Sequence, residues 1–140
     1  MNQYYPGIKN QMLLGTFNWT SGTYKLHMLN SLYVYDQTDT SLADISSSSR
    51  VILSPSTRGI SQAISGKTVV INDMRASAAS FLAITGDVPV TQFVLVLDTG
   101  VDATSLLVAH FDQGFGLPFI PSGGNYSIAW GVINGTVAEL

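Results

Sequence analysis

From residue 23 onward, apolar and polar positions alternate in short runs separated by turn-forming residues, which is the period of strands. Residues 23–29 set Tyr24, Leu26 and Met28 on one face and Lys25 and His27 on the other. Further strands are expected at residues 32–35, 51–53, 68–71, 79–84, 92–97, 106–111, 125–130 and 136–140. Helical signal is confined to the start, where Pro6-Gly7 opens a run with Ile8, Met12 and Leu13 at helical spacing and Gly15 closes it.

The connectors carry turn chemistry of their own: Asn18-Trp19-Thr20-Ser21-Gly22, Ser65-Gly66, Asn72-Asp73, Thr85-Gly86-Asp87, Gly114-Phe115-Gly116, Ser122-Gly123-Gly124 and Asn134-Gly135. Asn-Gly is a strong hairpin signal because both central residues of a type I′ turn need positive φ. Turns recurring every ten or so residues predict an all-β, single-domain antiparallel β-sandwich or barrel of about eight strands with one short N-terminal helix. Residues 1–140 read as a single β domain, with residues 1–7 as an N-terminal arm and residues 46–59 as a long polar loop. No internal repeat is visible.

Composition changes the picture in one respect. Charged residues make up 11% of the 140 residues, under half the roughly 25% of an ordinary globular domain. Hydrophobic residues make up 46%, so apolar patches are expected on the outside, and such patches mark partner surfaces. A net charge of -3 with six scattered basic residues argues against nucleic acid as a partner. There is no cysteine, which removes thiolate metal sites, disulfides and a thiol nucleophile. The N-terminus lacks the pattern of a cleaved signal and no run is long enough for a membrane span, so no membrane partner is expected.

The densest candidate chemistry is Asp98-Thr99-Gly100 at the end of the apolar run 93–97. With Asp102 and Thr104 behind it, the stretch resembles the active-site turn of retroviral-type aspartic proteases, where two carboxylates share a proton and activate a water. A chain with one such triplet would have to dimerise to supply the second carboxylate. The rest of that pattern is missing: only 40 of 140 residues follow Gly100, and Trp130-Gly131-Val132 is a poor second glycine turn. The simpler reading is a hairpin corner in which Gly100 takes a positive φ and Asp98 and Asp102 make local hydrogen bonds. Its carboxylates are then expected to be solvent-accessible.

Other constellations are weaker. His27 and His110 are the only histidines, and His110 with Asp112 lacks a third ligand at any regular spacing, so no metal site is expected. No Gly-x-Ser-x-Gly is present, and Ser122-Gly123-Gly124-Asn125 lacks the lysine and helix of a phosphate cradle. No catalytic residue, cofactor or metal is assigned. Trp19 and Trp130, if exposed, would suit a carbohydrate-binding sandwich. The polar stretches supply candidate partner contacts instead: Tyr4 and Tyr5 on the arm, and Ser47, Ser48, Arg50, Ser56 and Arg58 in the long loop.

One resemblance runs from about residue 8 to 140. Its carriers in the first third are a short helix ending in Leu13-Leu14-Gly15, an Asn18-Trp19 turn, the strand at 24–29 and Leu42-Ala43-Asp44-Ile45. Beyond these come Ile64-Ser65-Gly66-Lys67-Thr68-Val69, Phe81 to Gly86, Asp98 to Ser105, Leu107 to Asp112, Gly116 to Gly124 and Ile128-Ala129-Trp130. As a set they resemble small virion structural proteins of tailed bacteriophages, of the head decoration or cement type. Leu97 departs from that pattern, which has a basic or polar residue before the aspartate. In that group the Asp-Thr-Gly is a strand-to-strand turn with no catalytic role. The resemblance implies a non-enzymatic capsid decoration protein that oligomerises, commonly as a homotrimer, and contacts the major capsid protein. It would be made in the host cytoplasm and reside on the capsid surface. A tail, neck or fibre component is the alternative, and a dimeric aspartic protease the third.

Overall fold

In the computed structural model, described residues are 2–51, 59–70, 73–86, 88–130 and 136–139, the last four through their backbone pairing. Nine short strands and one short helix appear among them. The strands are β1 (Gln3–Tyr4), β2 (Tyr24–Leu29), β3 (Thr68–Val70), β4 (Asp73–Arg75), β5 (Ala79–Phe81), β6 (Gln92–Leu97), β7 (Leu106–Phe111), β8 (Tyr126–Ile128) and β9 (Thr136–Glu139); the helix is α1 (Pro6–Leu13). They form three separate antiparallel sheets, ordered β1-β7-β6-β2, β3-β4-β9 and β5-β8. None closes into a barrel, which corrects that half of the expectation.

The four-stranded sheet is buried on both faces. In register, Tyr24 opposes Leu97, Leu26 opposes Leu95 and Met28 opposes Phe93, and this face builds the larger core together with Met74, Phe81, Ile84, Ile128 and Trp130. The smaller sheets therefore contribute to the same interior, through Met74 of β4, Phe81 of β5 and Ile128 of β8. On the opposite face Val94, Val96, Leu29 and Leu107 form a second core with Tyr5, Tyr33, Leu42 and Ile45. A bulge decides that division. Leu95 opposes Ala109 but Val96 opposes Leu107, so Val108 is the extra residue and joins the larger core while Leu107 turns to the smaller one.

Local chemistry fixes the chain entry and exit of each piece. Pro6 stands at the start of α1, where a missing N–H costs nothing, and Gly15 at φ +73 ends it, with its N–H on the Met12 carbonyl. Only Ile8 of the helix is buried; Leu13, at helical spacing from Ile8 and Met12 in the sequence, is exposed, as is Leu14 just past the helix.

Residues 2–7 are not a free arm. Tyr4 pairs with Ala109 of β7, and Tyr5 is fully buried as the residue capping α1. Residues 32–35 form no strand; they wrap across the sheet with Tyr33 inward. Of the loop expected at 46–59, residues 52–58 lie outside the described residues; before them Ser47–Ser49 make one 3₁₀ turn, Ser49 is buried, and Val51 donates its N–H to the Met28 carbonyl. Residues 59–64 run along the free edge of β2 through Met28 N–H to Gly59, Ser61 N–H to Leu26 and Ile64 N–H to Tyr24. That edge is thereby covered.

Candidate functional site

The Asp98-Thr99-Gly100 corner leaves β6 with Asp98 N–H donating to the Thr23 carbonyl at 2.8 Å. Gly100 adopts φ +84, a conformation that strains any side chain, and its N–H donates to Asp98 Oδ1 at 3.0 Å. The other carboxylate oxygen meets Lys25 Nζ at 2.9 Å. Thr99 N–H donates to Ser105 Oγ, and Ser105 Oγ donates to the Val101 carbonyl at 2.9 Å. Both oxygens of Asp98 thus have partners, one in the hairpin itself and one on the neighbouring strand β2. Lys25 first and the Gly100 N–H second hold this carboxyl below its ordinary value. Asp98 is part-exposed, but it is ion-paired, where the sequence suggested only local hydrogen bonds. Asp102 reaches Arg50 Nη1 at 2.7 Å.

Between the sheet and the wrapping segment 30–51 lies a buried polar layer that the sequence did not announce. His110 Nε2 lies 2.6 Å from Gln92 Oε1. Gln92 Nε2 donates to the carbonyls of Asn30 and Tyr33, each at 2.9 Å. Tyr33 Oη donates to Asp39 Oδ2 at 2.9 Å and stands 2.7 Å from Tyr5 Oη. Burial pushes the Tyr5 and Tyr33 hydroxyls up and holds His110 below the ordinary imidazole value. Burial also raises the Asp39 carboxyl, against the hydrogen bond from Tyr33. His27, on the same face of the sheet, is 6% exposed. Burial first and Arg50 second lower it to about 4. With Arg50, Asp102, Met28, Leu42, Val51, Gly59 and Ile60 it lines a cleft of about 180 Å³. Among the described residues no group of three or more His, Asp or Glu is placed to hold a metal ion.

The candidate contact residues separate in space. Tyr5 is interior and cannot meet a partner in this conformation; Tyr4 is half-buried with its carbonyl accepting from Tyr35 Oη. Ser47 and Ser48 are exposed on the 3₁₀ turn. Arg50 is turned inward, bonding the carbonyls of Leu42 and Ile45 as well as Asp102. Its role is to tie the 3₁₀ turns to the β6–β7 corner. Ser56 and Arg58 lie outside the described residues. Trp19 and Trp130, offered as exposed glycan platforms, are buried, with their indole N–H groups on the Arg75 and Ser77 carbonyls, both at 3.0 Å.

Exposed apolar side chains lie elsewhere. Leu13 is 88% exposed, Leu14 67% and Val34 80%, with Leu32, Val69, Val101 and Ile120 also more than half exposed. Strand β3 is exposed along its whole length at the edge of its sheet. Beside it Met12, Phe17, Trp19, Val69 and Met74 line an apolar cleft of about 290 Å³. The surplus of apolar residues over charges foretold such a surface. Its position depends on which face α1 turns inward, and the sequence leaves that open.

No protein-family model matches the chain, and a search of curated proteins finds no match. No helix among the described residues is long and apolar enough to cross a membrane.

Proposed function

We propose that this chain is a non-enzymatic structural protein of a tailed-phage virion, a head decoration or cement protein in which the layered sheets act as a β-sandwich module. It associates with itself as a homotrimer and with the major capsid protein at the capsid surface. The observation that carries this reading is the exposed apolar surface of a sparsely charged chain, with Leu13, Leu14, Val34 and β3 uncovered. A protein that functions alone gains nothing from leaving leucines in water, whereas a subunit buries them on assembly. Asp98 supports the same reading, since a carboxylate held by Lys25 and the Gly100 N–H is placed to fix a corner. The reading joins this surface to the resemblance in the order of turns along the chain.

The test is the solution mass, followed by rebinding to particles stripped of the protein. A stable trimer that rebinds heads is expected. A monomer that binds no head overturns the reading, and binding to tails alone moves the protein to the tail, neck or fibre.

A further inference from the structure

Gln92 fixes the protonation of His110 by geometry alone. Its amide nitrogen faces two carbonyl oxygens, those of Asn30 and Tyr33, so both amide protons are spent there. Its oxygen must face the imidazole, and only a protonated Nε2 can donate to it at 2.6 Å. A neutral ring then leaves Nδ1 with a bare lone pair. That atom is buried and has no hydrogen-bond partner. A second proton on this ring would create a buried N–H with no acceptor, in a residue only 2% exposed.

The same contacts make Gln92 the hinge between the sheet and the segment above it. Through Gln92, His110 of β7 holds the backbone of Asn30 and Tyr33; through Tyr33 the chain continues to Tyr5 and Asp39. Tyr33 donates to Asp39, so Tyr5 must donate to Tyr33. Every bond in the series has one direction; a second proton on His110 would leave these bonds in place but add a buried charge and an Nδ1–H with no acceptor. We propose that this series is an acid-sensitive latch: it holds residues 30–45 and the buried Tyr5 on the sheet at neutral pH, and proton uptake by His110 releases them from Leu29, Val94, Val96 and Leu107.

The charged and titratable groups around the latch are few. The rings of Tyr33 and Tyr35 pack on His110, with centroids at 5.7 and 5.4 Å. Burial opposes the cation most, and Asp112, just past the end of β7, favours it by less. Burial first, then Asp36 and Asp44 of the wrapping segment, raise Asp39, so its protonation favours the closed segment and the acid release falls to His110 alone. His27 on β2 titrates within a separate set, Arg50, Asp98, Asp102 and Lys25.

The test is amide hydrogen exchange of the full chain from pH 7 to 4, corrected for the intrinsic pH dependence of exchange. Uptake of one proton predicts that the opening constant of residues 30–45 rises up to about ten-fold per pH unit below about 6.5, until the folded-state midpoint of His110 is reached. Amides of β6 should stay protected over the range where the segment opens. His110→Gln keeps a donor for Gln92 without the titration and should abolish the rise; His27→Gln should leave it. Uniform exchange over the whole chain, no acceleration in acid, or a rise that survives His110→Gln overturns the latch. Should His110→Gln not fold, the His110 ring is titrated by NMR in the unaltered chain. Its midpoint must then coincide with the lower end of the opening curve, and a mismatch overturns the proposal.

Discussion

Lys25 and Asp98 meet at 2.9 Å where β2 begins beside the end of β6, and this contact determines what the Asp-Thr-Gly corner does. The side chains are 33% and 23% exposed, so the pair is partly screened and worth under about 1 kcal/mol. Asp98→Asn should lower stability by that small amount at pH 7, read as a shift in the urea midpoint. The sign follows from the lowered carboxyl. Its contribution is complete above the unfolded value of 3.8 and is lost as pH falls through the lower folded value, so the variant and the parent should converge in strong acid. A peptidase activity that vanishes in this variant would reverse the reading of the corner.

Gln92 has a larger effect because nothing replaces it. Gln92→Leu is close in size but leaves the Tyr33 carbonyl and His110 Nε2–H buried without the partner Gln92 supplied, and the Asn30 carbonyl with only the Tyr33 N–H. Stranded buried polar groups cost about 1–3 kcal/mol each, some of which local rearrangement recovers. A loss of about 2–4 kcal/mol is expected in chemical denaturation, with an unchanged m-value.

The central hairpin was legible and its surroundings were not, for reasons that particular residues show. β6 and β7 have the expected bounds, since an unbroken apolar run at 93–97 and a glycine corner specify them locally. β1 is two residues long and pairs with a strand far along the chain, so no local pattern announces it. Lys25 and His27 alternate with apolar neighbours as a solvent face would. That face is instead covered by residues 30–51, a tertiary event invisible to periodicity. Tyr33 and Tyr35 looked like strand residues but serve the wrapping segment. Gln92, the most connected side chain of the polar layer, reads in sequence as an ordinary polar strand end.

Two glycines should separate backbone strain from steric exclusion. A Cβ at Gly100 would meet nothing within 4 Å, so Gly100→Ala carries only the cost of φ +84, about 1 kcal/mol. A Cβ at Gly59 would fall 2.0 Å from the Val51 carbonyl oxygen, and Gly59 itself accepts from Met28 N–H. Gly59→Ala must push the covering segment off β2, costing about 3 kcal/mol or more. Thermal melts of the two variants should therefore differ clearly, with Gly59→Ala far lower.

His27 sets the acid limit of the whole fold. Its ring is held neutral by burial and by Arg50, with a folded value of about 4 against an ordinary 6.5. The unfolded chain therefore binds the proton first as pH falls. Stability is constant well above 6.5, declines as pH drops below it, and stops declining on this account near 4. A gap of 2.5 between those two values corresponds to about 3 kcal/mol at most. His27→Gln cannot take up the proton, so its urea midpoint should be lower than the parent's at pH 7 yet fall less steeply between pH 6.5 and 4. Equal slopes in the two proteins would mean that the imidazole meets solvent freely and that Arg50, Val51, Gly59 and Ile60 do not seal it.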